Sequence, residues 1–175
     1  LAKLKAKEPV TVALLGDSIS TGCNASGWTK APPFQPAWQD LLVLRLAKAF
    51  GAKVTLRNFA VGGTDTGWGL TQIGQVSDAN PDLVILAFGM NDSAGREPAG
   101  YGANMKAMVD AIRQARPNAE VILVATMLGN KDWTALHQDY FPRYRDELAR
   151  LCGPGVVLAD MTSMWAELLK HKLDW

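Results

Sequence analysis

Three features of the sequence predict an α/β fold, a three-layer α/β/α domain built on a five-stranded parallel sheet. Short apolar runs recur through the chain, stretches with helical periodicity lie between them, and each of the first three runs is followed by a polar segment containing glycine or asparagine. Nearly continuous apolar runs are what parallel strands covered on both faces require, because neither face meets water. Alternation of strand and helix then implies right-handed crossovers, which place helices on both sides of one sheet.

The first strand is expected over 10–15, followed by an irregular stretch over 19–35 that contains Gly22, Gly27, Pro32, Pro33, Trp28 and Phe34. A loop this long in a compact domain usually carries function. Trp38, Leu41, Leu42, Leu46, Ala49 and Phe50 then share one face of a helix that Pro36 precedes. The second strand, over 53–57, alternates Val54 and Leu56 with Lys53, Thr55 and Arg57, which suits a sheet edge with one wetter face. A third strand is expected over 83–88. Met105, Met108, Val109 and Ile112 mark a helix ending before Pro117, and a fourth strand follows over 121–125. Leu136, Tyr140, Tyr144, Leu148 and Leu151 repeat the helical pattern up to the break at Gly153-Pro154-Gly155. The fifth strand is expected over 156–159, and 164–169 opens a last helix. The strand order 2-1-3-4-5, a flavodoxin-like arrangement, puts the alternating second strand at an edge. With 175 residues, no internal repeat and no low-complexity segment, 1–175 reads as a single domain.

Bulk properties exclude several classes. Hydrophobic residues make up 48% and charged residues 20%, as in ordinary globular chains. A net charge of +1 without a basic stripe argues against a nucleic-acid partner. No apolar run is long enough to span a membrane. Cys23 and Cys152 are expected to be free thiols, and they form no metal-ligand cluster with His137 and His171. Neither GxxxxGK[ST] nor GxGxxG occurs, and Asp17 beside the first turn would repel phosphate, so no nucleotide, flavin or other cofactor is expected. The chain starts at Leu1 rather than Met. Localisation stays open on that account, with a secreted or periplasmic setting ahead of a cytoplasmic one.

The chemistry gathers at three strand ends. Gly16-Asp17-Ser18-Ile19-Ser20 follows strand 1, Asn58 to Gly62, Gly63 and Thr64 follow strand 2, and Gly89-Met90-Asn91-Asp92 follows strand 3. In a 2-1-3 order these carboxyl ends are neighbours at the rim where open α/β sheets bind ligands. Topology therefore assembles a hydroxyl, glycine N–H groups and a carboxamide, which is the inventory of acyl transfer.

Gly-Asp-Ser after the first strand, Asn with Gly-Gly after the second and Gly-x-Asn-Asp after the third resemble the first three blocks of the SGNH, or GDSL-like, hydrolase family. The resemblance is strong from Val10 to Asp92 and looser beyond. It implies a serine esterase in which Ser18 is the nucleophile and the oxyanion hole is formed by the Ser18 N–H, the Gly63 N–H and the Asn91 side chain. Gly62 is the rival to Gly63. Ile19 stands where the family name has leucine. The implied partner is a small-molecule or carbohydrate ester, with an O-acetyl sugar suggested by the aromatic first loop. Lipid esters and thioesters use the same machinery.

Each residue also has a plainer reading. Ser18 could cap the following helix, the glycines could serve a tight turn, and Asn91 could form a turn through its own side chain. Asp17 and Asp92 are read as loop braces. Trp28, Phe34, Trp68 and Trp133 could each be packing residues or line the pocket, with Trp28 taken as a substrate contact alongside Asn130. A ligand-binding domain without catalysis is the alternative function.

The resemblance also implies a histidine three residues after an aspartate, past the fifth strand. No Asp-x-x-His occurs here. His137 is placed on the helix before strand 5, away from the rim, and His171 near a helix C-terminus, where its charge is favoured. The expectation is a C-terminal segment or partner chain that completes the site and covers apolar surface otherwise left bare. Asp174 is the one candidate for the family aspartate.

Overall fold

The computed structural model describes residues 2–172. A short helix α1 (Ala2–Lys5) leads into β1 (Val10–Gly16), followed by α2 (Ser18–Thr21), α3 (Trp38–Phe50), β2 (Val54–Asn58), α4 (Thr66–Asp78) and β3 (Leu83–Ala87). A 3-10 turn (Asp92–Ala94) precedes α5 (Pro98–Ala115), β4 (Glu120–Ala125), α6 (Tyr140–Arg150), β5 (Val156–Asp160) and α7 (Met161–Lys170). The sheet order is β2-β1-β3-β4-β5 and every pairing is parallel. The predicted architecture is therefore the observed one.

Two apolar layers hold the sheet. On one face, Leu15, Val84, Leu86, Leu123 and Phe88 pack against Met105, Met108 and Ile112 of α5 and Tyr144 and Leu148 of α6. Each such side chain contributes about 1.5–3 kcal/mol when fully buried. Tyr101 and Tyr144 stack in this layer with centroids 4.1 Å apart. On the other face, Val12, Leu14, Ile85 and Ala87 lie beneath Trp38, Leu42, Leu46 and Phe50 of α3. The β2 edge is half-wet, with Val54 and Leu56 partly covered and Thr55 and Arg57 exposed. That is the alternation read from its sequence.

Coverage of the second face stops short of β5. Ile122 and Val124 are only partly buried, and Val157 is 54% exposed. Met164, Trp165, Leu168 and Leu169 of α7 are also exposed. Asp174, the candidate for the family aspartate, lies outside the described residues. Cys23 and Cys152 are free and exposed.

The short helices α1 and α2 were not expected, and among the longer helices α4 and α6 differ most. The helix α4 fell between the recognised patterns because Gly67, Gly69 and Gly74 dilute its apolar face. Its signal was Asp65, whose carboxylate caps the helix by accepting the Trp68 N–H at 2.9 Å. The helix α6 begins at Tyr140 rather than Leu136. The residues before it form turns, with Leu136 N bonded to Trp133 O and His137 N to Ser93 O.

Candidate active site

Register sets the three strand ends level. Leu14 of β1 pairs with Asn58 of β2, and Gly16 of β1 with Ala87 of β3. Immediately beyond Gly16, Asp17 is 1% exposed and caps α2, its Oδ1 accepting the Ile19 N–H at 2.9 Å. The cap is thus Asp17, and Ser18 opens the helix itself, half-buried. The Ser18 carbonyl accepts from Thr21 Oγ1 at 2.8 Å and from Cys23 N at 3.1 Å. The capping job that the sequence left open for Ser18 is taken by its neighbour.

The β2 loop folds onto this turn. Asn58 Nδ2 donates to Ser20 O at 2.9 Å, and Asn58 Oδ1 accepts from Ala60 N. Val61 N donates to Gly16 O at 3.1 Å. Gly62 faces the serine directly, since a Cβ built there would lie 3.6 Å from Ser18 Cβ. Gly63 has φ +79°, the left-handed region that glycine enters without strain. Thr64 then ties the loops together: its Oγ1 donates to Val61 O at 2.7 Å, with a longer contact to Gly16 O at 3.4 Å.

Thr64 also receives the third loop. Asn91 Nδ2 donates to Thr64 O at 2.8 Å, bonding across loops rather than within its own turn. A carboxamide nitrogen carries two protons, and the second has no protein acceptor among the described residues. The structure therefore brings the Ser18, Gly62–Gly63 and Asn91 segments into one place. Thr64 was not singled out from the sequence, where an isolated threonine carries no pattern.

Beneath Asn91 lies a charged network. Asp92, 1% exposed, accepts from Thr66 N, Thr66 Oγ1 and Arg96 Nε, the last at 2.8 Å. Arg96 Nη2 reaches Asp65 Oδ2 at 2.7 Å. Burial pushes the Asp92 carboxyl above its ordinary value against the pull of the Thr66 bonds. Burial also raises Asp17, to about 6, opposed by the Ile19 N–H and reinforced by the nearby Asp92 charge. Asp65 goes the other way: against its desolvation, the Trp68 N–H and the Arg96 guanidinium hold it below the usual range. A shallow cavity of about 250 Å³ opens here, lined by Asp65, Asn91, Asp92, Gly95 and Arg96. A larger one, about 580 Å³, lies at the amino end of the sheet around Lys3, Asp82 and Arg116, and shares none of these residues.

The other candidates stand further out. Trp28 is 64% and Phe34 61% exposed on the long loop after α2, and Trp133 is 57% exposed after β4. Trp68 packs against the core instead of the rim. Asn130 bends its own loop, with its Oδ1 accepting from Asp132 N at 3.0 Å. His137 departs from its expected place, because the turns before α6 carry it to the 3-10 segment after Asn91, where its ring stacks on Tyr140 at 4.6 Å. His171 ends α7 near Glu167, at 3.3 Å. Among the described residues no hydrogen bond joins either histidine to Ser18, and no group of three or more His, Cys, Asp or Glu is placed to hold a metal ion. Among those residues, no helix is long and apolar enough to cross a membrane.

A family model described as the GDSL-like lipase/acylhydrolase family matches residues 14–175. An arylesterase from Vibrio mimicus is 29% identical over 133 residues, which cover 74% of this chain and 62% of that protein. The chain thus spans less than two thirds of this curated relative's length. Among solved structures, TesA is 25% identical with a TM-score of 0.63 over 81% of this chain and 72% of its own. A variant of Axe2, an acetyl-xylooligosaccharide esterase from Geobacillus Stearmophilus, shares the fold at TM-score 0.72 and 17% identity, covering 95% of this chain and 82% of its own.

Proposed function

Because the chain belongs to the GDSL-like lipase/acylhydrolase family, we propose that it hydrolyses carboxylic esters through an acyl-enzyme formed on Ser18. The Ser18 hydroxyl attacks the ester carbonyl and gives its proton to a histidine base, which the family resemblance assigns to an Asp-x-x-His block. The carbonyl oxygen becomes an oxyanion and receives the N–H groups of Ser18 and Gly63 and the second Nδ2 proton of Asn91. Collapse expels the alcohol, which takes the proton from the base, and water then releases the acid by the same steps in reverse. The observation that carries this reading is the Asn91 carboxamide. It is fixed by one hydrogen bond to Thr64 O beside Gly63, and its other donor has no acceptor among the described residues.

The substrate we favour is a short acyl ester, such as an acetyl group on a sugar. Exposed Trp28 and Phe34 on the first loop offer flat apolar faces to a sugar ring. The Axe2 relative acts on acetyl-xylooligosaccharides, in keeping with this choice.

Rates of p-nitrophenyl ester hydrolysis test the reading across acyl chains of two to twelve carbons. Acetate should be turned over fastest, Ser18→Ala should abolish turnover, and Asn91→Ala should lower kcat by about 10² to 10³. An unchanged rate in Ser18→Ala would sink the proposal. A second reading is a carbohydrate-binding domain of the same fold, which the exposed Trp28 and Phe34 also suit. Its signature is oligosaccharide binding equal in wild type and Ser18→Ala with no turnover in either.

A further inference from the structure

Resting on the ester-hydrolase reading, we propose that Arg96 is a positioning residue. It staples the loop that carries Gly63 to the turn that carries Asn91, and so sets where the two oxyanion donors stand. Its guanidinium spends two nitrogens on two carboxylates from different elements, Nε on Asp92 and Nη2 on Asp65. Asp65 follows Thr64 and caps α4, while Asp92 directly follows Asn91.

Three further contacts hold the staple in place. Thr66 N and Oγ1 donate to Asp92, adding a second tie between the same two segments. Asn104 of α5 donates to Thr66 Oγ1 at 3.0 Å. The Arg96 backbone is held from the far side, its carbonyl accepting the Tyr144 hydroxyl. The chain also leaves room for the guanidinium, because a Cβ on Gly67 would stand 2.8 Å from Arg96 Nη2 and 3.2 Å from Asp65 Oδ1.

Arginine suits this task because its donors form a planar fork that can hold two acceptors in fixed directions. A lysine ammonium is a point charge on a flexible stem and reaches both less well. Arg96 acts through Asn91 and Gly63, whose donor positions must match a developing oxyanion. A displacement of about 1 Å in such groups costs about 10²-fold in rate.

The test combines steady-state kinetics on p-nitrophenyl acetate with ¹H–¹⁵N spectra of the Asn91 side-chain amide. Arg96→Met should lose about 10- to 100-fold in kcat with KM changed by less than about 2-fold, and Arg96→Lys should recover part of that loss. Gly67→Ala keeps every charge, displaces the guanidinium without removing it, and should fall between wild type and Arg96→Met. It also guards against a loss of folding in Arg96→Met. The Asn91 amide resonances should shift in both variants. Wild-type kcat in Arg96→Met and Gly67→Ala beside a crippled Asn91→Ala would overturn the staple alone. If Ser18→Ala loses nothing, the ester-hydrolase reading fails, and the staple is judged on the amide spectra, where unshifted resonances in Arg96→Met overturn it.

Discussion

Ser18 sits one residue after a carboxyl group that has almost no access to water. Asp17 is 1% exposed, and its value is pushed up to about 6. In the unfolded chain it titrates near its ordinary value of about 3.9. Between those values the folded chain holds a proton that the unfolded chain has lost. Stability therefore falls as pH rises from about 4 to about 6 and is level above for this group. Asp17→Asn keeps an oxygen to accept the Ile19 N–H and removes the charge. It should stabilise the protein by about 1–2 kcal/mol at pH 7.5 and by nothing measurable near pH 4, read by thermal unfolding at both. A gain equal at the two pH values would show that the buried charge is not the cause. At this scale the sequence was legible in the Gly-Asp-Ser turn, which the structure sets at the end of β1 against Gly62. It was silent on Thr64 and Arg96, whose importance lies in partners 3 to 48 residues away in sequence.

Elements were legible in proportion to the contrast on their faces. The strands β1, β3 and β4 are apolar on both faces and stood out, and α3 and α5 showed their stripes. The helix α4 did not, since three glycines interrupt it, but they do different things. Gly69 lies against the Phe88 ring, where a Cβ would come within 2.8 Å, whereas Gly74 has nothing within 4 Å. Gly69→Ala should therefore destabilise by about 1–3 kcal/mol through overpacking. Gly74→Ala should stabilise by about 0.5–1 kcal/mol through helix propensity. Denaturant unfolding of the two variants checks the pair, and equal effects of either sign would contradict this packing. His137 was misplaced for a related reason: helical spacing from Leu136 to Leu151 looks continuous, but the His137 N–H is taken by Ser93 O, and the helix starts three residues later.

At the scale of the whole molecule, the order β2-β1-β3 is what makes the site, because it sets three loops that are distant in sequence side by side at one rim. That order is the common solution for five strands alternating with helices, and the alternation of the second strand fits the edge it is given. The same sheet leaves the face over β4 and β5 short of cover, with Val157, Trp165 and Leu168 exposed. The account stands on Ser18 being the activated hydroxyl of that rim rather than a helix residue like Ser20 beside it. Labelling the protein with a fluorophosphonate and mapping the adduct by peptide mass spectrometry tests this most directly. One adduct, on Ser18, is the expected result, weakened in Asn91→Ala and Arg96→Met. An adduct on another serine, or none at all, would contradict it.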